Sequence, residues 1–213
     1  MTCLMDDILI IGTGGHARFV VAILEALDLP IKGLITVEDT YDHEESILDV
    51  HIIGVENDLH AFYGKGFRNL ILAVGDNASR RKIYDKWHKC GFLFPAISHP
   101  MAVVATSANI GSGCIIGPNA TIGVNVTVGE NCIINSSSII EHETLIGRHC
   151  HIAPGAVVCG RVVIGDQVML GANSTVIDKL TIPSITTLGA GSTLLHSPNE
   201  KGLILVGSPA RPI

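Results

Sequence analysis

Residues 110–134 read IGSGCIIGPNATIGVNVTVGENCII. Ile110, Ile116, Ile122, Val128 and Ile134 fall at every sixth position, and the series runs without a slip from Val104 to Leu194. Two residues before these positions the side chain is usually small: Ala108, Cys114, Ala120, Val126, Cys132, Ser138, Thr144, Cys150, Ala156. One residue after, glycine is frequent: Gly111, Gly117, Gly123, Gly129, Gly147, Gly165, Gly171, Gly189. A helix repeats every 3.6 residues and a strand every two, so neither accounts for a period of six. A hexapeptide repeat is the signature of a β-helix, with one short strand per hexapeptide and a turn between strands. Three hexapeptides close a triangular coil whose interior the aliphatic residues fill. Coils stack at roughly 4.8 Å, the interstrand spacing. The repeat has room for about five of them.

Composition agrees with narrow, layered packing. The chain has 213 residues, 47% hydrophobic but only 4% aromatic, with 23 glycines, so its core rests on Val, Ile, Leu and Ala. A net charge of −6 leaves no basic footprint for nucleic acid. No apolar run reaches the ~18 residues of a membrane span. The opening MTCLMDDILIIGTGG places acids where a secretion signal needs basic residues, and a cytoplasmic location is expected. Six cysteines lack any C-x-x-C spacing, so neither zinc nor a redox dithiol is indicated. Cys114, Cys132 and Cys150 are each separated by three hexapeptides and should stack in one interior column, as reduced thiols in a ladder of small residues. Cys3, Cys90 and Cys159 carry no signal.

Residues 1–97 follow a different grammar. Strand candidates at Ile8–Ile11, Ile31–Val37, Ile52–Ile53 and Leu70–Val74 alternate with helical spacing over 16–28 and a helix capped by Asn77 or Ser79 that reaches about Cys90. Alternating strands and helices predict a small parallel α/β domain. Residues 98–213 then form the β-helical domain with a C-terminal cap. Gly12-x-Gly14-x-x-Ala17, with Glu38 roughly 20 residues on, fits a dinucleotide fingerprint. A glycine turn opening a helix also suits a diphosphate; a tight turn with no ligand is the plain alternative. A nicotinamide enzyme would need a second catalytic domain, and here the remainder is a solenoid.

The solenoid has one polar break, residues 136–147, SSSIIEHETLIG. Ile140 keeps the inward position, Glu141 replaces the usual turn glycine, and His142 and Glu143 follow on the turn, pointing outward. A carboxylate beside an imidazole fixes its tautomer and strengthens it as a base. That is the equipment for taking a proton from an amine or hydroxyl that attacks a thioester.

Five motifs extend this picture: Gly12-Thr13-Gly14-Gly15-His16, Ala73-Val74-Gly75-Asp76-Asn77 with Arg80-Arg81-Lys82 behind it, Asn135 through Glu143, Leu188-Gly189-Ala190-Gly191-Ser192-Thr193, and Gly207-Ser208-Pro209-Ala210-Arg211. On these the chain resembles the left-handed β-helix acetyltransferases, in particular the nucleotide-amino-sugar N-acetyltransferases of the bacillosamine pathway and the related sialic-acid O-acetyltransferase-like group. The resemblance implies an N-terminal Rossmann-like α/β domain followed by an all-β left-handed parallel β-helix. It implies His142 as catalytic base and Glu143 as the residue that raises its basicity, with Asn135 near the sugar or developing charge. His151, Ala172 and Ala190 would contact acetyl-CoA, the co-substrate. Gly14, Gly15, His16 and Gly75 would contact the nucleotide sugar. A homotrimer with the site between neighbouring solenoids is implied, with no metal, nucleic acid or membrane partner. The expected substrate is a UDP-4-amino-4,6-dideoxy sugar for bacterial surface glycans. Relatives often carry two acids directly after the second strand; here Glu38 and Asp39 come about two positions late, which leaves UDP, GDP or dTDP open. The alternatives are O-acetylation of a sialic-acid-like sugar and a non-catalytic or metal-binding solenoid.

Other polar groups read as follows. Arg80-Arg81-Lys82 in a first helical turn attracts phosphate, or forms a solvated face or a subunit contact. His149 and His151 flank the inward Cys150, so alternation sends both rings outward, and with His142 they form a conceivable zinc set. His43, His51, His60, His88, His99 and His196 are surface or structural. Arg211 lies near a CoA phosphate or within a simple cap.

Overall fold

The computed structural model describes residues 7–42 and 44–213, so Cys3 and His43 lie outside the described residues. The described residues divide after Ile97 into two compact units.

In the first unit the apolar run Ile8–Ile11 forms β1, every residue fully buried. The chain then turns at Gly12, whose φ of 115° few L-residues adopt; an added Cβ would also lie 2.6 Å from the Ala73 carbonyl oxygen. Helix α1 follows (Gly15–Ala26), burying Ala17, Val20, Val21, Ile23 and Leu24 along one stripe. Next come β2 (Ile31–Thr36), β3 (Ser46–Ile47), β4 (Val50–Val55), α2 (Leu59–Gly64), β5 (Asn69–Leu72) and α3 (Asn77–Lys89). Sheet order is β3-β4-β2-β1-β5. All pairings are parallel except β3–β4, a hairpin that the hydrophobic pattern did not announce. Its turn uses Leu48 and Asp49 at positive φ. Helix α2 was likewise missed, since only Leu59 in it is buried. The cap of α3 is Asp76, one residue before the expected Asn77; its carboxylate accepts from the Ser79 N–H at 2.7 Å. β1 lies between β2 and β5, so their C-terminal ends meet at a topological switch point, where open α/β sheets bind ligands.

The second unit is the left-handed β-helix that the hexapeptides specify. Two-residue strands pair in parallel with their counterparts one coil on, as in Ile139↔Val157 and Ile140↔Val158. One face carries Val103–Val104, Thr121–Ile122, Ile139–Ile140, Val157–Val158, Thr175–Val176 and Thr193–Leu194. A second runs from Asn109–Ile110 to Thr181–Ile182, and a third includes Ile115–Ile116, Ile133–Ile134, His151–Ile152, Met169–Leu170 and Thr187–Leu188. The sixth-position aliphatics from Ile116 to Leu194 are at most 3% exposed, and the small residues two before them join the same core. Shortening one, Ile140 to Ala, would cost about 2–5 kcal/mol.

Corner geometry differs from expectation. Every sixth residue from Gly113 to Gly191 has φ between 56° and 70°, and most are not glycine: Asn119, Asn125, Asn131, Ser137, Glu143 and Arg161 among them. The frequent glycine sits two residues earlier and is there for clearance. A Cβ on Gly129 would lie 2.8 Å from the backbone of Gly147 in the next coil. Glu141 therefore replaces a clearance residue, and Glu143 is the left-handed turn residue.

The interior thiols form the expected column. Cys114, Cys132 and Cys150 are buried and form no disulfide, each S–H donating to a glycine carbonyl: Gly129 at 3.0 Å, Gly147 at 3.1 Å and Gly165 at 3.1 Å. A hydrogen bond with Cys132, then burial, pushes the Cys150 thiol well above its ordinary value. The end of the chain closes the solenoid. Ile204–Val206 adds parallel to Thr187–Leu188, and Arg211–Pro212 returns antiparallel on it. Arg211 is exposed and donates to the Ala210 carbonyl at 3.0 Å, in keeping with a cap.

Candidate functional site

At the corner after the first face, Glu141, His142 and Glu143 are exposed. Ile140 anchors the preceding strand at 0% exposure, and the left-handed φ of 59° at Glu143 turns the chain. The Glu143 carboxylate Oε2 lies 3.1 Å from His142 Nδ1 and accepts from Arg161 Nε at 2.9 Å. Arg161 first, then His142, holds the Glu143 carboxyl below the usual carboxylate range. An ionised carboxylate can only accept, so Nδ1 carries the imidazole proton and Nε2 presents its lone pair. This tautomer follows from the partner rather than from a visible hydrogen.

The next coil shapes the room around the ring. Gly160 stacks one coil after His142, and a Cβ there would lie 2.6 Å from Nε2 and 2.7 Å from Cε1. Gly160 thus leaves the shelf on which the imidazole rests. Neither Gly160 nor Arg161 was singled out from sequence. Their signal was present, since each lies three hexapeptides, one full coil, past a candidate site residue. Cys159 stacks at the same corner. Burial, Asp178 and Glu141 raise its thiol above the ordinary value, which disfavours a thiolate nucleophile.

The other candidates in the solenoid lie away from that corner: His151 on a strand of the third face, and Asn135, Ala172 and Ala190 at the corner where the third face gives way to the first. Asn135 Nδ2 approaches His151 Nε2 at 3.3 Å, while Asn135 Oδ1 accepts from the Ser136 N–H. Ala172 and Ala190 stack nearby at successive coils, joined where the Gly191 N–H donates to the Ala172 carbonyl at 2.8 Å. Within one chain the structure therefore brings His142 and Glu143 together, and separately Asn135 with His151 and Ala172 with Ala190. It does not join the first pair to the others.

His149 departs from expectation. It occupies a left-handed corner position, so strict alternation fails there; its ring is 3% exposed and lies 2.9 Å from Asn131 Nδ2. It also sits at a different corner from His142, so the zinc set does not assemble. Among the described residues no group of three or more His, Cys, Asp and Glu could hold a metal ion. Nor is any helix among them long and apolar enough to cross a membrane.

In the first unit a cleft of about 390 Å³ is lined by Gly12, Thr13, Gly14, Gly15, His16, Val37, Glu38, Ala73, Val74 and Gly75. Added Cβ atoms on Gly14, Gly15 and Gly75 would meet nothing within 4 Å. Packing does not demand glycine at these positions; its effect is to leave the α1 N-terminus and the β5 loop open to an approaching ligand. His16 stacks on Phe19 at 5.2 Å. The late acid is accommodated by a turn in which the Glu38 N–H donates to Thr36 Oγ1, and Glu38 but not Asp39 lines the cleft. The basic triplet separates into three roles. Arg80 is 1% exposed, donating to the carbonyls of Val74 and Gly75 and to Asn77 Oδ1, and so braces the cleft's own loop. Arg81 pairs with Asp85, and Lys82 lines a neighbouring hollow with Val37, Glu56 and Lys86.

Comparison with known proteins agrees with both units. Residues 7–87 match the PglD N-terminal domain and residues 98–184 the GMPPB C-terminal domain. Among solved structures, PerB from Caulobacter crescentus, in complex with CoA and GDP-perosamine, superposes with a TM-score of 0.92 at 28% identity over 98% of each chain. The acetyltransferase domain of PglB from Neisseria gonorrhoeae FA1090, in complex with acetyl coenzyme A, gives 0.89 at 28% identity over 97% of this chain and 98% of that one. WeeI from Acinetobacter baumannii AYE shares the fold, with a TM-score of 0.86 at 21% identity over 97% and 99%. No curated protein sequence matches the chain. A Rossmann-like domain ahead of a hexapeptide solenoid, with CoA-bound acetyltransferases as structural neighbours over nearly the whole chain, defines a left-handed β-helix acyltransferase. More narrowly, residues 7–87 match a PglD-type N-terminal domain, and over nearly its whole length the chain is similar to acetyltransferases such as the PerB and PglB structures.

Proposed function

We propose that the chain is an acetyl-CoA-dependent N-acetyltransferase acting on the amino group of a nucleotide-activated amino sugar. The observation that carries this reading is the His142–Glu143 pair at 3.1 Å, with Nε2 facing outward over Gly160. The ligands of the PerB and PglB neighbours, CoA with GDP-perosamine and acetyl coenzyme A, support the substrate pair.

In the proposed mechanism the neutral sugar amine attacks the thioester carbonyl carbon. His142 Nε2 takes the amine proton as the tetrahedral intermediate forms, and Glu143 stabilises the imidazolium. Backbone N–H groups of a coil turn hold the oxyanion. Collapse breaks the C–S bond, and the departing thiolate receives the proton from His142, leaving amide and free CoA. No acyl-enzyme is needed. Gly14, Gly15, His16 and Gly75 hold the nucleotide sugar, and Asn135 is assigned to the developing charge. His151, Ala172 and Ala190 lie along the acetyl-CoA arm.

Because the base and these donor contacts occupy different corners of the solenoid, a site completed by the edge of a neighbouring copy is the consistent reading, which supports a trimer. We place the enzyme in the cytoplasm, in surface-glycan assembly, with a UDP-4-amino-4,6-dideoxy sugar as first substrate. The PerB complex makes a GDP sugar the second.

A panel of UDP-, GDP- and dTDP-linked amino sugars, with a sialic acid as the hydroxyl acceptor, is assayed with acetyl-CoA by release of free thiol. Turnover of an amino-sugar nucleotide is expected. His142→Ala should then lower kcat by about 10²–10⁴-fold through loss of the general base. Undiminished turnover by that variant would refute the reading.

A further inference from the structure

The corner holds a charged group that the proposed chemistry does not use. Arg161 lies one coil past Glu143 in the same left-handed column, with φ of 61° against 59°. Its Nε donates to the same carboxylate oxygen that faces His142 Nδ1. One oxygen thus joins donors from two successive coils.

We infer that Arg161 is a positioning residue for the reaction: it clamps the Glu143 carboxylate from the next coil, so that the imidazole keeps Nδ1–H inward and Nε2 free. This rests on the general-base reading of His142. The argument is geometric. Side chains of Arg161, Glu143 and His142 are 57%, 49% and 49% exposed. Exposed ion pairs of this kind contribute little to folding, so stability does not account for the arrangement. Glu143 follows His142 directly in sequence, and one hydrogen bond between two exposed side chains leaves both free to rotate. A second donor on a rigid adjacent coil removes that freedom. It also offsets the charge of Glu143, so position rather than net field is what Arg161 supplies. The other charged or titratable groups here are Glu141, Cys159 and Asp178, the last paired with Lys179 at 3.2 Å.

The backbone at 161 tolerates the test substitutions, since Gln167 and Lys179 hold the equivalent corners with φ of 58° and 61°. Wild type, Arg161→Gln, Arg161→Lys and His142→Ala are compared on the full chain. With the amino-sugar nucleotide that wild type turns over, Arg161→Gln should lose about tenfold in kcat, the scale expected when a group that orients a functional imidazole is removed. The KM for acetyl-CoA should stay within about twofold, because ground-state binding is untouched. Arg161→Lys should recover most of the loss. Independently of turnover, long-range ¹H–¹⁵N spectra of histidine-labelled protein should show His142 as the Nδ1–H tautomer in wild type and as a mixture in Arg161→Gln. An unchanged tautomer and kcat in Arg161→Gln overturns the inference, as does a loss confined to the KM for acetyl-CoA. Wild-type turnover by His142→Ala would instead sink the general-base reading, and the tautomer spectra would still decide whether Arg161 sets the ring.

Discussion

Gly160→Ala tests the corner with a single methyl group. The new Cβ would lie 2.6 Å from His142 Nε2, 2.7 Å from Cε1 and 3.1 Å from Cδ2. Carbon contacts relax near about 3.5 Å, so the ring must retreat by about 0.9 Å or swing on its χ angles. The atom struck is the end of an exposed side chain, so the ring moves and the coil does not. A retreat of that size stretches the 3.1 Å contact with Glu143 past hydrogen-bonding range. Misplacing a catalytic group by about 1 Å costs on the order of 10²-fold. We expect kcat to fall by about that factor, measured as thiol release under saturating acetyl-CoA. The melting temperature should hold or rise slightly, because alanine at a φ open to L-residues narrows the unfolded ensemble by about 0.4–1 kcal/mol. Gly129→Ala is the contrasting control. Its Cβ would strike backbone of the next coil at 2.8 Å, so it should lower the melting temperature and leave the kcat of the folded fraction intact. Wild-type kcat in Gly160→Ala would show that the ring's place over Gly160 has no part in the chemistry.

Two further outcomes follow from groups away from that corner. The Ser79 backbone N–H, ahead of the other causes, holds the Asp76 carboxyl below its ordinary 3.8. Its contribution is therefore full above the unfolded pKa and disappears as pH falls through the folded one. Asp76→Ala should cost about 1 kcal/mol at pH 7, and denaturant titrations should show the gap from wild type closing as the pH is taken below that value. In a Cys3→Ser, Cys90→Ser background, a thiol reagent should label native protein only at Cys159, and Cys114, Cys132 and Cys150 only in denaturant. Rapid native labelling of Cys132 would contradict the sealed interior column.

Much of the architecture was legible because hexapeptide periodicity is a local constraint repeated along the chain. Each aliphatic position specifies the same inward direction, so Val104 through Leu194 declare the coil length and the three-hexapeptide register of Cys114, Cys132 and Cys150. The strand–glycine–helix run from Ile8 to Leu27 declared the α/β unit for a similar reason, since its burial stripe repeats with the helical period. Candidate chemistry was visible where the repeat was broken, at Glu141-His142-Glu143.

The tertiary structure decided what depends on neighbours distant in sequence. Arg161 and Gly160 matter only because stacking sets them beside Glu143 and His142. Arg80 read as a phosphate-attracting or solvated surface group until burial turned its guanidinium onto the Val74 and Gly75 carbonyls. His149 looked outward by alternation until a left-handed corner carried it inward to Asn131. Periodicity reports which way a backbone faces, whereas side-chain partners are chosen by contacts across coils, and those exist only once the coils have stacked.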